Sequence, residues 1–168
     1  MLAALDAHYV DDHAFVACLT FANWPDAAAI DELTTVVADI AEYEPGEFYR
    51  RELPCLLAGL RLLPALPEIV VIDGYVWLDE HGRQGLGAHL HRALGGRAAV
   101  VGVAKNPFHG AIGAAEVQRG DSARPLYVSA EGMPLSEAAE AVRSMHGPFR
   151  VPTLLKRVDQ LCRTAAPE

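Results

Sequence analysis

The sequence is poor in cysteine and in basic residues, and it has no long apolar run. Its three cysteines, Cys18, Cys55 and Cys162, are widely separated and odd in number, which argues against a disulfide framework and a CxxC metal site. No apolar run approaches the roughly 20 residues that a membrane span requires. The N-terminus lacks the basic segment of a secretory signal. These absences predict a soluble, cytoplasmic protein that does not enter a membrane.

Two motifs of common enzyme classes are also missing. The glycine-rich run at 85–96 lacks the GxGxxG spacing of dinucleotide-binding enzymes, and no GxSxG segment of a serine hydrolase occurs. The 14 basic and 22 acidic residues give a net charge of −8, which argues against a broad, non-specific grip on nucleic acid. An acidic balance is compatible with a site that gathers carboxylates around divalent cations.

The composition is that of a folded domain. Hydrophobic residues make up 51% of the chain and charged residues 21%, which excludes intrinsic disorder. A length of 168 residues is typical of one domain, and we expect residues 1–168 to form a single unit.

The first third of the sequence predicts three strands and a helix. Two β-prone runs, 2–10 and 13–21, flank a turn and indicate a hairpin, and a third strand is predicted over 34–40. Leucines at helical spacing follow Glu52. Because proline is tolerated in the first turn of a helix, Pro54 indicates that this helix begins at or near Glu52.

The rest of the sequence alternates buried strands with helices. Within EIVVIDGYV, the stretch IVVI is continuously apolar and is followed by Asp-Gly, which indicates a strand covered on both faces. The other predicted elements are a helix at 85–96, a strand at 98–105, a strand at 125–130, a helix capped by Ser136 and ended by Gly147, and a C-terminal helix. This order predicts an α/β fold with a mixed sheet, antiparallel in its first three strands and then parallel, flanked by helices.

Three acidic residues stand at positions where a charge needs a partner. Asp6 interrupts the first apolar strand, Glu52 opens the first long helix, and Asp73 closes the central buried strand. Each alone is equally compatible with a structural role as an edge, capping or turn residue. Together they suit the hydrolysis of a phosphodiester with two Mg²⁺ ions, which requires several converging carboxylates.

Several motifs, in order along the chain, resemble those of the endonuclease V family. They are LDAHY with Asp6, Tyr43-Glu44-Pro45-Gly46 followed by Arg51-Glu52, Ile72-Asp73-Gly74, Gly85-Leu86-Gly87-Ala88-His89-Leu90 and Val101-Gly102-Val103-Ala104-Lys105. A weaker likeness runs from Arg150-Val151-Pro152 to Asp159. The resemblance covers most of the chain, and it implies a ribonuclease H-like fold.

The resemblance also implies an activity and a metal. It implies an endonuclease that cuts nucleic acid, DNA or RNA, containing deaminated bases (inosine or deoxyinosine) by in-line attack of a metal-activated water. Asp6, Glu52 and Asp73 are then the ligands of Mg²⁺ or Mn²⁺ and the catalytic acids. Lys105 becomes a catalytic residue that faces the scissile phosphate, although a solvated lysine at a strand end is the alternative.

The same resemblance assigns two substrate-binding elements. Tyr43, Pro45 and Gly46 form a wedge that fills the gap when a damaged base leaves the stack, or else a rigid turn. Gly74 and the backbone near Gly85 and Gly102 line a pocket for the flipped base.

The sequence departs from the family at two histidine positions. A loop containing Asp79, Glu80 and His81 replaces the family's S-H-P-R-R loop. Glu131 stands near the position of the histidine in the family's G-H-R motif and is either an additional oxygen ligand or an ordinary loop acid.

Two alternatives to an inosine-specific nuclease follow from these departures. One is a catalytically altered protein of the same fold that binds nucleic acid or a protein partner. The other is a nuclease for a different modified base. A group of basic residues in the C-terminal third supplies either a phosphate-contacting surface or scattered surface charge; it comprises Arg119, Arg124, Arg150, Lys156 and Arg157.

Overall fold

A computed structural model describes residues 1–109 and 113–167 of the chain. Within these residues, seven strands form one sheet and four helices flank it. The elements are β1 (Leu2–Val10), β2 (His13–Phe21), β3 (Asp31–Val37), α1 (Phe48–Leu60), β4 (Ile69–Asp73), α2 (Leu86–Ala93), β5 (Ala99–Ala104), β6 (Ala115–Val117), β7 (Leu126–Glu131), α3 (Leu135–Ser144) and α4 (Thr153–Ala165). None of the described helices is both long and apolar enough to cross a bilayer.

The sheet has the order β3-β2-β1-β4-β5-β7-β6. The first three strands pair antiparallel, and β1, β4 and β5 then pair parallel, which confirms the predicted mixed sheet. At the far edge, β7 pairs antiparallel with β5 and with the short strand β6. The sequence patterns did not predict β6. The parallel strands place their carboxyl ends at one edge of the sheet, where open α/β sheets bind ligands.

The two faces of the sheet carry different helices. Along β4, Val70 and Ile72 point to the face covered by α1 and α2, whereas Val71 points to the face covered by α3 and α4. Because both faces are covered, β4 has no polar side chain before Asp73, which explains its unbroken apolar sequence. The core therefore lies in two layers, one on each side of β1, β4 and β5.

The first helix begins about one turn earlier than its leucine pattern predicts. It starts at Phe48, so Glu52 lies in the second turn and Pro54 lies inside the helix, which corrects the expectation that Glu52 opens it. Pro54 is exposed, and water can therefore satisfy the carbonyl that its missing N–H leaves without a partner. The added first turn is supported by an ion pair between Arg50 and Glu47 at 3.0 Å.

The expected caps of the third helix are also wrong. It starts at Leu135 directly after Pro134, so Ser136 lies within the first turn and makes no capping bond. Pro134 adopts a φ of −61° and its carbonyl accepts the first helical hydrogen bond, from Ala138, at 3.1 Å. The helix ends at Ser144, before Gly147, because Met145 takes an extended conformation.

Candidate metal centre

Two of the predicted acids lie side by side at the carboxyl edge of the sheet. Leu5 of β1 is paired in parallel register with Ile72 of β4, so the residues that follow them, Asp6 and Asp73, are neighbours. Glu52 reaches the same edge from α1, which covers the opposite face from α4. The sheet register and the position of α1 thus bring together three residues that are far apart in the sequence.

These acids line one cleft of about 400 Å³. The side chains of Asp6, Glu52, Asp73 and Lys105 all contribute to its wall. The remaining lining residues are Leu5, Ala7, Tyr9, Leu56, Ile72, Gly74, Leu86, Asp159 and Arg163. The predicted acids and the predicted lysine are therefore gathered in a single solvent-accessible site.

Lys105 contacts the acids directly. Its Nζ donates a hydrogen bond to Asp73 Oδ2 at 3.2 Å, and both side chains are about half-exposed. Burial lowers the pKa of Lys105, but the attraction of Asp73 and Asp6 outweighs this, and the net effect is a raised pKa. Lys105 is therefore a fixed positive charge at the edge of the acidic cluster.

The surroundings disfavour the ionised form of two carboxyl groups in the cleft. Burial, followed by repulsion from Asp73, raises the pKa of Asp6 to about 7. Burial, followed by repulsion from Asp73 and Asp6, raises the pKa of Glu52 to about 7. Desolvated like charges at short range are unfavourable unless a cation neutralises them.

The donor set fits a hard divalent cation. Carboxylate oxygens are the ligands that Mg²⁺ and Mn²⁺ prefer, and the repulsion among Asp6, Glu52 and Asp73 is what a divalent ion relieves. Structural ion-pair networks also perturb pKa values, but here four acids line the cleft with only two cations, Lys105 and Arg163. The residues present are therefore compatible with a metal centre.

Metal binding is expected to release protons near neutral pH. Because the pKa values of Asp6 and Glu52 lie at about 7, both are partly protonated at pH 7 and must ionise to bind a cation. Mn²⁺ titration calorimetry in two buffers of different ionisation enthalpy should show release of roughly one proton at pH 7 and almost none at pH 9. Affinity should rise with pH through this range. A proton count of zero at pH 7 would contradict the shifted carboxyl groups.

Asp159 is a cleft residue that the site predictions missed. One ligand atom each from Asp6, Asp159 and Cys162 lie within 4.8 Å of one another. Asp159 is on α4 and accepts a hydrogen bond from Arg163 Nε at 2.9 Å. The only sequence signal was the weak motif likeness that ended at this residue.

Cys162 is the neutral member of that group. Its side chain is buried, and burial raises the pKa of its thiol to about 12. Its Sγ donates to the Asp159 carbonyl oxygen, one turn earlier, at 3.1 Å. Cys162 therefore packs as a small apolar residue on the inner face of α4.

A second cleft of about 200 Å³ adjoins the first and shares Glu52 and Asp73 with it. Three of the predicted substrate-binding glycines line it: Gly46, Gly74 and Gly85. Its other walls are Phe48, Tyr49, Tyr75, Leu78, Gln84, Leu86 and Phe108. The glycine positions and the acids thus face connected spaces.

Tyr43 and Pro45 lie outside the wall of this second cleft. Both residues are exposed, and the Tyr43 ring packs edge-on against Phe48, with ring centroids 4.9 Å apart. Gly46, with a φ of +85°, brings the chain back to the cleft wall. The predicted wedge segment is therefore an exposed turn next to the second cleft.

Gly102 does not line the pocket, contrary to expectation. It lies buried in β5, where it is paired with Ile72 and Ser129 on the neighbouring strands. A Cβ there would come within 2.5 Å of the Gly74 carbonyl oxygen and 2.9 Å of Ser129 Oγ. The glycine is required because backbone and side-chain atoms approach it closely.

The structure also corrects the suggested ligand role of Glu131. Glu131 pairs with Val100 at the amino end of β5, whereas Lys105 follows the carboxyl end, because β7 runs antiparallel to β5. Its carboxylate accepts a hydrogen bond from Trp77 Nε1 at 3.0 Å. Glu131 is therefore at the wrong end of the sheet to reach the cleft.

His81 does not reach the cleft either. It is exposed, in a turn whose backbone is held by Asp79, whose Oδ1 accepts hydrogen bonds from the N–H groups of His81 and Arg83, each at 2.9 Å. Neither departure from the family's histidines supplies a replacement ligand among the described residues that line the cleft.

Comparison with other proteins identifies relatives along nearly the whole chain. A profile of the endonuclease V family matches residues 1–144. Endonuclease V of Streptomyces coelicolor is 32% identical over 98% of this chain and 78% of its own length. Endonuclease V of Streptomyces avermitilis is 32% identical over 99% of this chain and 81% of its own length.

Solved structures share the fold. The crystal structure of the Streptomyces avermitilis protein superposes with a TM-score of 0.77 at 30% identity, covering 98% of this chain and 80% of that one. Endonuclease V of Ciona intestinalis, in complex with a 24mer DNA that contains an inosine followed by a ribo-adenosine, superposes with a TM-score of 0.79 at 20% identity, covering 97% and 84%. These matches confirm the predicted ribonuclease H-like sheet.

Proposed function

The chain belongs to the endonuclease V family, and on that premise we propose that it is a divalent-metal-dependent endonuclease that cleaves nucleic acid containing deaminated bases. The observation that carries this proposal is the cleft in which Asp6, Glu52 and Asp73 meet beside Lys105. The Ciona intestinalis relative in complex with inosine-containing DNA supports the choice of substrate.

Four oxygen donors of the cleft are proposed to hold Mg²⁺ or Mn²⁺. They are the carboxylates of Asp6, Glu52, Asp73 and Asp159, all of which line the same space. Held by these carboxylates, the cation would supply Lewis-acid chemistry: activation of a water for in-line attack on the phosphorus and stabilisation of the departing 3′ oxygen. The protein's contribution is to fix the donors in the middle of β1, at the end of β4 and on α1 and α4.

Lys105 is proposed to face the scissile phosphate. Its ammonium group is held at the cleft by Asp73, 3.2 Å away, and can donate to a non-bridging phosphate oxygen. A positive charge in this position offsets the negative charge that develops on the phosphate in the transition state.

The second cleft is proposed to hold the flipped base. Gly74 has a φ of +111°, and a Cβ there would meet no atom within 4 Å, so its backbone conformation rather than crowding requires glycine. Tyr75 fixes the adjacent loop, because its hydroxyl donates to the Asn106 carbonyl at 2.7 Å and accepts from the Phe108 N–H at 3.2 Å. Gly46 lines this cleft, and Tyr43 and Pro45 stand beside it, where a wedge would enter the vacated stack.

Incubation with inosine-containing oligonucleotides tests the proposal. We expect cleavage of a DNA or RNA strand with one inosine in the presence of Mg²⁺ or Mn²⁺, and no cleavage of the same strand with guanine. Asp73→Ala should abolish it, whereas Asp39→Asn, an exposed position outside the cleft, should retain it. If no single- or double-stranded inosine substrate is cut, the base specificity is wrong, and a panel of other modified bases becomes the next test.

A catalytically altered binding protein is the second candidate. It is favoured by the positions of His81 and Glu131. These residues stand near the two positions at which the sequence departs from the family's histidines, and neither of them lines the acidic cleft. Mn²⁺ calorimetry separates the two functions, because a site that has lost catalysis should bind Mn²⁺ weakly or not at all. Saturable Mn²⁺ binding that Asp6→Asn removes would argue against this second candidate.

A further inference from the structure

A groove of about 590 Å³ leads away from the candidate metal centre along the start of α4. It shares Lys105 and Asp159 with the acidic cleft, so the two spaces adjoin at these residues. Its other lining residues are Asp121, Ser122, Pro148, Phe149, Arg150, Val151, Leu155 and Lys156. A nucleic-acid strand that is cut in the acidic cleft extends beyond it on at least one side, and this groove offers a path for that part of the strand.

One wall of the groove is formed by the loop at 145–150, which is held by hydrogen bonds from a buried arginine. Arg119 is only 6% exposed, and its guanidinium donates hydrogen bonds to four backbone carbonyls of this loop. The acceptors are the carbonyls of Met145, Gly147, Phe149 and Arg150. Arg119 therefore has a structural role in place of the phosphate contact allowed by the sequence, and it rigidifies segment 145–150.

A second arginine ties the same loop to the metal centre. The Arg150 guanidinium donates to the carbonyl of Lys105 and, at 2.8 Å, to the carbonyl of Pro125. Because Lys105 belongs to the acidic cleft, this contact fixes the loop relative to the site of cleavage. Arg150 is likewise committed to the backbone.

Phe149 stands exposed on this rigid loop. Its side chain is 69% exposed although its backbone carbonyl is held by Arg119. Scattered exposed apolar residues are ordinary, so the exposure alone carries little. Here the ring borders a groove and has the ammonium of Lys156 6.0 Å from its centroid. A fixed aromatic face next to a cation is the arrangement on which single-stranded nucleic acids stack.

The distribution of positive charge supports the same occupant. The chain has two lysines, and both of them, Lys105 and Lys156, line this groove. Lys156 forms no ion pair among residues 1–109 and 113–167, whereas the next residue, Arg157, is bound to Glu32 at 2.6 Å. Two acids, Asp121 and Asp159, also line the groove. In a protein of net charge −8, a lysine next to an exposed ring is a local attraction for phosphate.

We infer that this groove binds an unpaired stretch of the substrate strand next to the cut, with a base stacked on Phe149 and a phosphate at Lys156. The inference rests on the proposed nuclease function and adds the path of the flanking strand to it. Stacking on an aromatic ring is tolerant of sequence, since every base has a π face, so the groove would contribute affinity without base specificity.

Binding of a fluorescently labelled single strand with one inosine, followed by anisotropy in Ca²⁺, tests the inference. Phe149→Ala should weaken binding by about five- to tenfold, and Phe149→Trp should restore it. Lys156→Ala should weaken binding and lower the slope of log affinity against log salt by about one. Two shortened strands, one without the nucleotides 5′ of the inosine and one without those 3′ of it, locate the contact. The loss of affinity caused by Phe149→Ala should disappear with only one of them, and that strand lacks the nucleotides that bind in the groove.

Two control variants match these changes on other surfaces. Arg61→Ala removes one positive charge at the end of α1, on the opposite face of the sheet, and Val36→Ala removes an exposed apolar side chain on β3. Both should bind like the parent chain, and all variants should keep the parent's melting temperature. Equal weakening in Arg61→Ala, or parent-like affinity in both Phe149→Ala and Lys156→Ala, would overturn the inference.

The outcomes also separate this inference from the proposed function. A parent chain that cleaves inosine strands while the groove variants bind normally would refute the groove alone. A parent chain that binds through Phe149 and Lys156 but cuts no inosine substrate would refute the inosine specificity of the proposed function and leave the groove as a nucleic-acid surface.

Discussion

Replacing Asp6 with asparagine is expected to reduce cleavage of an inosine strand by about 10³-fold. Asp6 lines the acidic cleft, next to Asp73, and one of its carboxylate oxygens lies within 4.8 Å of an Asp159 carboxylate oxygen. A divalent ion contributes several kcal/mol to stabilising the transition state of phosphodiester hydrolysis, and each 1.36 kcal/mol corresponds to tenfold in rate. Single-turnover cleavage at an Mn²⁺ concentration that saturates the parent chain measures the effect.

The same substitution should stabilise the protein in the absence of metal. The pKa of Asp6 is raised from 3.8 to about 7 in the folded state, so the folded protein binds more protons than the unfolded chain between these values. The contribution of this group to stability therefore falls as the pH rises from about 4 to 7 and stays at its lowest above 7. Asparagine has no charge to desolvate, and Asp6→Asn should unfold with a free energy about 2 kcal/mol higher at pH 8.

Urea denaturation in EDTA at pH 4 and pH 8 checks the sign. The difference between Asp6→Asn and the parent should be present at pH 8 and absent at pH 4, and Mn²⁺ should stabilise only the parent. Asp39→Asn makes the same chemical change at an exposed position, where Asp and Asn both tolerate the observed φ of +52°, and it should match the parent throughout. Lower stability of Asp6→Asn at pH 8 would show that the carboxylate is structural.

The sheet was predictable because its strands carry the strongest patterns in the sequence. The unbroken apolar run before Asp73 is typical of a strand that is covered on both faces. Strands β1 and β2 are joined by a two-residue turn, which indicates a hairpin. Residues 115–117 form a strand of only three residues, which is too short to show a period. The start of α1 was misplaced because exposed Pro54 is tolerated inside a helix whose local sequence signal begins later.

The acidic cleft was predictable in part for a related reason. Asp6 and Asp73 interrupt or end apolar strands, and a charge in that setting is visible in the sequence. Asp159 lies on an amphipathic helix among other polar residues, so nothing local distinguishes it from a solvated face. Its contact with Asp6 depends on how α4 crosses β1, which is a tertiary property.

The suggested ligand role of Glu131 and the pocket role of Gly102 were wrong for the opposite reason. The local sequence at both positions was compatible with a site, but the tertiary structure places them elsewhere. The direction of β7 places Glu131 at the amino end of β5, and strand direction is not encoded in the six residues themselves. Gly102 is required by the approach of the Gly74 carbonyl from the neighbouring loop, which a single sequence cannot distinguish from a ligand contact. The two roles left open for the C-terminal basic residues, a phosphate-contacting surface or scattered charge, do not describe Arg119 and Arg150, which bind backbone carbonyls of segments distant in the sequence.

Replacing Lys105 with methionine should lower the rate of cleavage by about 10²-fold without weakening metal binding. The Lys105 Nζ lies 3.2 Å from Asp73 Oδ2, so in the metal-free protein it competes with a cation for that carboxylate. Removing the ammonium group leaves all four carboxylates in place, and Mn²⁺ affinity should stay unchanged or increase. This combination, slower cleavage at equal or tighter metal binding, distinguishes a residue that acts on the phosphate from one that holds the cation.

Lys105→Arg and a stability measurement complete the Lys105 experiment. Arginine keeps the positive charge and should recover part of the lost rate, because charge stabilisation survives although the donor geometry changes. The Lys105–Asp73 pair is about half-exposed, and such pairs contribute little to folding, so both variants should unfold within about 1 kcal/mol of the parent. If Lys105→Met loses Mn²⁺ affinity in proportion to its rate, the lysine organises the acidic cluster instead of contacting the phosphate, and the catalytic role proposed for it is wrong.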